Sequence, residues 1–191
     1  LSILQGQPYA QACILKLTDG AENYYSLSAA NKMALSEFDA ILMRKDPPVD
    51  DQFVFTTQIF ALAEAHGVLI VNHSQALRNF NEKLFTSYFP ELIPPTLVTR
   101  DKEQIKAFHA EHKDIICKPL DGMGGVGIFR IKDDANNLGV VIETLTDNGA
   151  RLAMFQRYLP AIKDGDKRVL IVDGEVIPYC LARLPQGTET R

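Results

Sequence analysis

The sequence predicts an α/β protein in two parts: a partial parallel-sheet, Rossmann-like N-terminal part, followed by an α+β part built on antiparallel hairpins. Three observations carry this. An apolar run at 38–43, a helical pattern opening at Asp50 or Asp51, and a second apolar run at 68–71 have the spacing of a strand–helix–strand unit, which implies a parallel sheet. Pro90, Pro94 and Pro95 then make a linker, after which the rhythm changes. In that second stretch, short β-like runs flank a glycine-rich loop and an Asp173-Gly174 turn, the chemistry of antiparallel hairpins. The boundary falls near residue 82, which gives domains 1–82 and 83–191.

Taken in order, residues 1–4 and 9–17 are rich in β-formers and are separated by a Gln5-Gly6 turn; residues 24–27 are a further short strand. The run 38–43 reads as a buried strand, stopped by Arg44-Lys45-Asp46 and then by Pro47-Pro48. In the following helix, Phe55, Ile59, Leu62 and His66 recur at helical spacing and are expected to face inward, with Gly67 as the stop. Ligands of parallel sheets sit at the carboxyl ends of the strands, where Arg44-Lys45-Asp46 and Asn72 fall. A second helical region is expected from a Ser74 cap to about Phe89. Beyond the linker come a strand at 96–99, a helix capped by Asp101 with Ile105 and Phe108 inward, and a strand at 115–120. A strand at 128–131, a helix at 136–145, a strand at 154–159 and a hairpin of 168–172, read as a buried strand, with 175–181 complete the pattern.

Composition narrows the function. The chain has 191 residues, 46% hydrophobic and 23% charged, with a formal net charge of −4. That balance offers no global basic field for nucleic acid or an anionic membrane. No apolar run approaches the roughly 18–20 residues of a membrane-spanning helix, and no basic segment followed by an apolar one marks a signal peptide. No repeat of solenoid length is present. Cys13, Cys117 and Cys180 are far apart and form no CxxC pair, so they are expected to be single buried thiols in a reducing cytoplasm. The chain starts without Met and stops at Thr190-Arg191, and both ends are expected to be cuts through a longer protein.

The most informative segment is Lys118-Pro119-Leu120-Asp121-Gly122-Met123-Gly124-Gly125-Val126-Gly127. Gly122, Gly124 and Gly127 satisfy GxGxxG, but a dinucleotide fingerprint needs a helix after the loop and a strand follows here. A Walker A loop needs Lys-Ser or Lys-Thr after its last glycine, and a protein kinase needs HRD and DFG; none is present. What remains is a glycine loop between antiparallel strands, whose backbone can approach phosphate oxygens closely. Lys118, on the strand before it, can reach the same phosphates as a point charge. Lys83, Gln156-Arg157-Tyr158-Leu159-Pro160, the charged run 163–168 and the polar stretch 183–191 accompany it. Taken singly, each also reads as a solvated lysine, a strand end, a turn or a tail.

In this order, these segments resemble the ATP-grasp ligases. Arg44-Lys45-Asp46-Pro47-Pro48, Asn81-Glu82-Lys83-Leu84-Phe85, the glycine loop, Tyr158-Leu159-Pro160 and Gly165-Asp166-Lys167-Arg168 are similar more narrowly to the bacterial glutathione synthetase family. Asp173-Gly174-Glu175 and Pro178-Tyr179-Cys180-Leu181-Ala182-Arg183 extend the likeness. The resemblance implies a pre-ATP-grasp N-terminal domain and an incomplete ATP-grasp domain. It implies a cytoplasmic, homo-oligomeric ligase that joins the C-terminal carboxylate of γ-glutamyl-cysteine to glycine. The carboxylate is activated as an acyl phosphate, giving glutathione, ADP and phosphate.

By the same match, Lys83 and Lys118 hold the ATP phosphates, and Gly122, Met123, Gly124 and Gly125 form the loop over them. Gln156, Tyr158 and Leu159 line the adenine pocket between two β-layers. Asp166 and Arg168 face the nucleotide and the transferring phosphoryl group, and Arg183 and Arg191 belong to a lid. The family's Mg²⁺ ligands are expected past Arg191, so no metal ligand is assigned here and the 191 residues alone are expected not to turn over. Two other readings stay open: another ATP-grasp carboxylate–amine ligase, such as a D-alanine–D-alanine ligase or a glutamate ligase, and a non-catalytic nucleotide-binding or assembly module.

Overall fold

In the computed structural model, residues 1–20, 24–46 and 48–184 are described. The chain divides into two compact units, Leu1–Glu82 and Lys83–Arg191.

The first unit opens with β1 (Ser2–Leu4) and β2 (Gln7–Ala12), joined by the Gln5-Gly6 turn. The β-rich run expected over 9–17 breaks after Ala12, and β3 (Leu15–Leu17) pairs instead with β4 (Tyr25–Leu27) in a separate ribbon. A strand not evident from the sequence, β5 (Asn31–Ala34), pairs with β2, so the order of this antiparallel sheet is β1-β2-β5. Its composition, Asn-Lys-Met-Ala, carries little β-propensity, and cross-strand pairing overrides that weakness.

The strand–helix–strand unit consists of β6 (Ala40–Leu42), α1 (Asp51–Ala65) and β7 (Leu69–Val71), with Ile41 paired to Ile70 in parallel register. Asp50 caps α1 by accepting the Phe53 N–H at 2.9 Å. The buried face overlaps the expected one only in part: Ile59 packs against the core and Leu62 is half-buried, as expected. Phe53, Thr57, Phe60 and Ala63 are buried, whereas Phe55 is half exposed and His66 lies at the surface. Apolar residues surround α1, so spacing alone does not select the face; packing onto Leu35, Val68 and Ile70 does. The run 38–43 is also less buried than expected, since only the Ile41 side of β6 is covered and Leu42 stands out to solvent.

After β7 the chain forms α2 (Ser74–Asn79), a short helix and not one reaching Phe89. Ser74 is not its cap: it is buried, and it donates from both N–H and hydroxyl to the Glu64 carboxylate. Burial alone would raise the Glu64 pKa, but these bonds outweigh it and the carboxyl lies below its ordinary value. The helical pattern ends because Phe80 closes α2, and residues 84–88 resume only as a 3₁₀ turn.

The second unit is organised by one four-stranded antiparallel sheet of β8 (Thr96–Thr99), β9 (Ile115–Pro119), β10 (Phe129–Ile131) and β11 (Ala153–Arg157), in the order β10-β9-β11-β8. Helix α3 (Lys102–His112), capped by the Asp101 carboxylate, and α4 (Leu138–Thr146) cover one face. Ile105 of α3 and Val141, Ile142 and Leu145 of α4 pack on Ile115, Cys117, Ile131 and Phe155. Strand alternation turns Ile116, Lys118, Arg130 and Gln156 to the opposite face.

A separate hairpin, β12 (Asp166–Val172) and β13 (Glu175–Arg183), turns at Asp173-Gly174. Apart from the half-buried Asp166 it is exposed along its length, although 168–172 reads in sequence as a buried strand. Apolar alternation identifies a strand but not what covers it. The cysteines also differ from expectation, for Cys117 is buried while Cys13 and Cys180 are exposed. Burial pushes the Cys117 thiol up to about 12. No helix among the described residues is long and apolar enough to cross a membrane.

The α1 face has a direct test. Phe60→Ala is expected to destabilise the first unit by about 3–5 kcal/mol, whereas Phe55→Ser should change stability by no more than about 0.5 kcal/mol. Equal losses in denaturant titrations would mean that the helix is rotated from this position.

Candidate functional site

The uncovered face of the four-stranded sheet and the β12–β13 hairpin border a cleft of about 830 Å³ in the second unit. That volume falls within the ordinary range for a small-molecule site. Ile116 and Lys118 reach it from β9, Gln156 and Arg157 from β11, and Tyr158, Leu159 and Ile162 from the chain that leaves β11. Gly124, Gly125 and Ile128 contribute from the loop between β9 and β10, and Asp166, Arg183 and Leu184 from the hairpin.

Two-residue periodicity places these groups. On β9, Ile115 and Cys117 are fully buried against the helices, so Ile116 and Lys118 must face the cleft. On β11, Phe155 points to the helices and pairs with Cys117, while Gln156 pairs with Ile116 and shares its face. The Gln156 amide donates to the Thr96 hydroxyl at 2.9 Å on the same face, which fixes its orientation.

The glycine loop has a defined base and an open tip. Gly124, Gly125 and Gly127 have φ of +62°, +80° and +71°, a region that side chains disfavour. A Cβ at Gly122 would lie 3.2 Å from Pro119 Cγ, and one at Gly127 would lie 3.3 Å from the same atom, so the proline ring fills the neck. Lys83 Nζ donates to the Gly122 carbonyl at 2.6 Å, and Arg151 pairs with Asp121 at the loop's entry. Met123 is about half exposed, at 48%.

Asp166 and Arg183 face each other across β12 and β13 and form a two-pronged ion pair, with Arg183 Nε donating to Oδ1 at 2.7 Å. The hydrogen bonds from Arg183 hold the Asp166 carboxyl below its ordinary value. Gly165, with φ +91°, precedes this pair, and a Cβ there would collide with the Arg183 carbonyl oxygen.

A second charged cluster was not singled out from the sequence. Arg130, on β10 beside Ile116, donates to Asp114 through Nε at 2.9 Å and through a terminal nitrogen at 2.6 Å. Its guanidinium lies 3.5 Å from the centre of the Tyr158 ring. The Arg130 hydrogen bonds keep the Asp114 carboxyl below the ordinary carboxylate range.

Of the residues that the sequence picked out, Lys118, Gly124, Gly125, Gln156, Tyr158, Leu159, Asp166 and Arg183 line one cleft. Lys83 and Gly122 are joined to one another at the loop base, and Met123 stands at the tip. Arg168 is exposed on β12, two residues along from Asp166, and is not among the cleft-lining residues. Arg191 lies outside the described residues. The sequence reading missed Ile116, Ile128 and Ile162 as lining, and alternation with the core positions Ile115 and Cys117 was the available signal for Ile116. In the first unit, Arg44, Lys45, Asp46 and Asn72 follow the carboxyl ends of the parallel strands β6 and β7. Among the described residues, no group of three or more His, Cys, Asp or Glu side chains is placed to hold a metal ion.

Comparison with known proteins matches both units. Residues 1–78 fit the model of the prokaryotic glutathione synthetase N-terminal domain, and residues 82–191 that of the prokaryotic glutathione synthetase ATP-grasp domain. Glutathione synthetase of Escherichia coli K12 is 56% identical over 191 residues, covering 100% of this chain and 60% of that protein. The Salmonella typhimurium enzyme is 54% identical over the same length, covering 61% of its own. The chain thus spans about 60% of the length of the curated relatives it matches. Among solved structures, D-cycloserine synthetase DcsG aligns with a TM-score of 0.56 at 16% identity, over 79% of this chain and 58% of that one. A RimK domain ATP-grasp protein from Sphaerobacter thermophilus aligns with 0.53 at 22% identity, over 69% of this chain and 50% of that one. These two likenesses show the ATP-grasp fold.

Two outcomes follow from the geometry. Gly165→Ala is expected to cost more than 1 kcal/mol, measured as earlier proteolysis of the β12–β13 hairpin; a hairpin as resistant as the parent would contradict the close approach. Asp114→Asn should destabilise the second unit at neutral pH. The Asp114 pKa is depressed in the folded state, so its contribution is present above the unfolded value of about 3.9 and is lost as pH falls through the folded value. The stability gap between parent and variant should therefore close in acid, and a gap that is constant with pH would rule out the ion pair as its source.

Proposed function

The chain belongs to the prokaryotic glutathione synthetase family, and from that premise we propose that it forms part of an ATP-dependent ligase that joins γ-glutamyl-cysteine to glycine. The products are glutathione, ADP and phosphate, and the enzyme is a cytoplasmic homo-oligomer. In this reading the first unit is the substrate-binding domain, and the second is the ATP-grasp domain.

The observation that carries the proposal is the convergence of Lys118, two loop glycines, Gln156, Tyr158, Leu159, Asp166 and Arg183 on one cleft. The cleft fits a nucleoside triphosphate in size and in donor chemistry. Its inner wall, from Gln156 to Leu159, takes the adenine. The N–H groups of Arg157 and Tyr158 are committed to the Pro95 and Asp114 carbonyls, which leaves the Leu159 N–H as the segment's backbone donor to the base edge. Lys118 sits between this wall and the glycine loop, where it neutralises phosphate charge. Positive φ at Gly124 and Gly125 turns backbone N–H groups of the loop toward the same phosphates.

Lys83 lies within reach of the loop through its contact with Gly122 and adds a second ammonium to the phosphate site. Asp166 and Arg168 act at the nucleotide and the transferring phosphoryl group, with Arg183 and Arg191 as lid cations that shield the activated carboxylate from water. Phosphoryl transfer asks for positioning and charge neutralisation more than for covalent chemistry, which suits a site of lysines, arginines and backbone donors. The family implies Mg²⁺, a hard cation that takes oxygen ligands. The described residues supply no cluster for it, so no step is assigned to the metal here.

Product analysis on the natural protein carrying this sequence tests the reading. ADP release should require both γ-glutamyl-cysteine and glycine, and the product should be glutathione. Lys118→Ala should lower turnover by about 100-fold. Preference for another acid or amine would reassign the ligase, and ATP binding unaffected by Lys118→Ala would remove the pocket from the argument.

A further inference from the structure

We propose that Arg130, held by Asp114, is a positioning residue for the nucleotide base: it locks the Tyr158 ring and thereby preforms the wall of the cleft made by Tyr158 and Leu159. The inference rests on the reading of this cleft as an ATP site and adds a residue to it.

Strand β11 ends at Arg157, so the segment that meets the base lies past the last ladder hydrogen bonds of the sheet. Something else must hold it still. Asp114 does so twice. Its main-chain carbonyl accepts the Tyr158 N–H at 2.9 Å, and its carboxylate grips the Arg130 guanidinium at 2.9 and 2.6 Å. The central carbon of the same guanidinium sits 3.5 Å from the Tyr158 ring centroid. Backbone and side chain of one residue are thus tied to a single acidic anchor, and Tyr158 is only 7% exposed.

The cluster is not part of the hydrophobic core. Arg130 and Asp114 side chains keep 22% and 35% of their surface exposed, and Arg130 stands on the cleft face of β10, beside Ile116. A core-stabilising role would be served as well by an apolar side chain. A planar cation serves a different purpose, because it can bind a carboxylate through two parallel hydrogen bonds and present its face to an aromatic ring at once. Lysine cannot do both. The neighbouring Leu159 lines the cleft, so rigidity at Tyr158 is transmitted directly to the surface that meets the ligand.

The test separates base from phosphate recognition in the natural protein carrying this sequence. ATP and inorganic tripolyphosphate are titrated against the parent, Arg130→Lys, Asp114→Asn and Lys118→Ala. Arg130→Lys and Asp114→Asn should weaken ATP about tenfold and leave tripolyphosphate unchanged, with KM for ATP raised and kcat at saturation kept. Lys118→Ala should weaken both ligands. Asp114→Asn, which preserves shape, carries the test should Arg130→Lys fail to fold. Unchanged ATP affinity in these variants, or an equal loss for tripolyphosphate, overturns the role of Arg130 while leaving the ATP site intact. A parent protein that binds neither ligand overturns the ATP reading and this inference with it.

Discussion

Burial of Ile115, Cys117, Ile131 and Phe155 against α3 and α4 is the constraint on which the second unit depends. A strand has two faces and a period of two, so committing the odd-numbered positions of β9 to the core commits the even-numbered ones to the other side. Ile116 and Lys118 have no freedom in the matter. The same logic, carried across the ladder by register, sets Gln156 opposite Ile116 and Arg130 on its other flank. A slip of one residue in β9 would send Lys118 into the helices and Cys117 into the cleft, at the cost of burying an ammonium. Hydrophobic packing on one face is therefore what aims the cations on the other.

This division explains what could be read from the sequence. Asp50, Asp101 and Gly67 mark helix ends by local chemistry, and all three act as such in the structure: two side-chain caps and a glycine with φ +87° at the stop. The strands bracketing the glycine loop were legible because apolar runs met turn residues. The failures share a different cause. The buried face of α1, the continuity of the helix after Ser74, and the exposure of β12 each depend on what packs nearby, and a window of sequence does not contain that information. Phe55 is as apolar as Phe60, and the position of Leu35, Val68 and Ile70, on which Phe60 packs, decides between them.

The site divides along the same line. Lysines, glycines and the Tyr-Leu-Pro segment were visible because a recognisable order of motifs accompanies them. Arg130 and Asp114 were not, for each looks in sequence like an ordinary surface charge, sixteen positions from its partner. Their pairing is produced by the tight connection from α3 into β9 and by the β9–β10 register, which brings Arg130 beside Ile116 and hence near Asp114. Arg168 presents the reverse case: the motif placed it among the functional residues, whereas strand geometry leaves it exposed beside the cleft.

The glycine loop shows how restraint and freedom are distributed within a few residues. Pro119 fills the neck between Gly122 and Gly127, and larger residues at either point would have to displace a ring attached to the end of β9. Lys83 holds the Gly122 carbonyl, and the exposed Arg151–Asp121 pair adds a contact worth little by itself in water. All three restraints act at the base. Beyond them, Met123 and Val126 are open to solvent, and the positive φ values fall at glycines, where they carry no steric cost. A loop tethered in this way leaves its tip beyond Pro119, separated in the chain from the core positions Ile115 and Cys117 of β9.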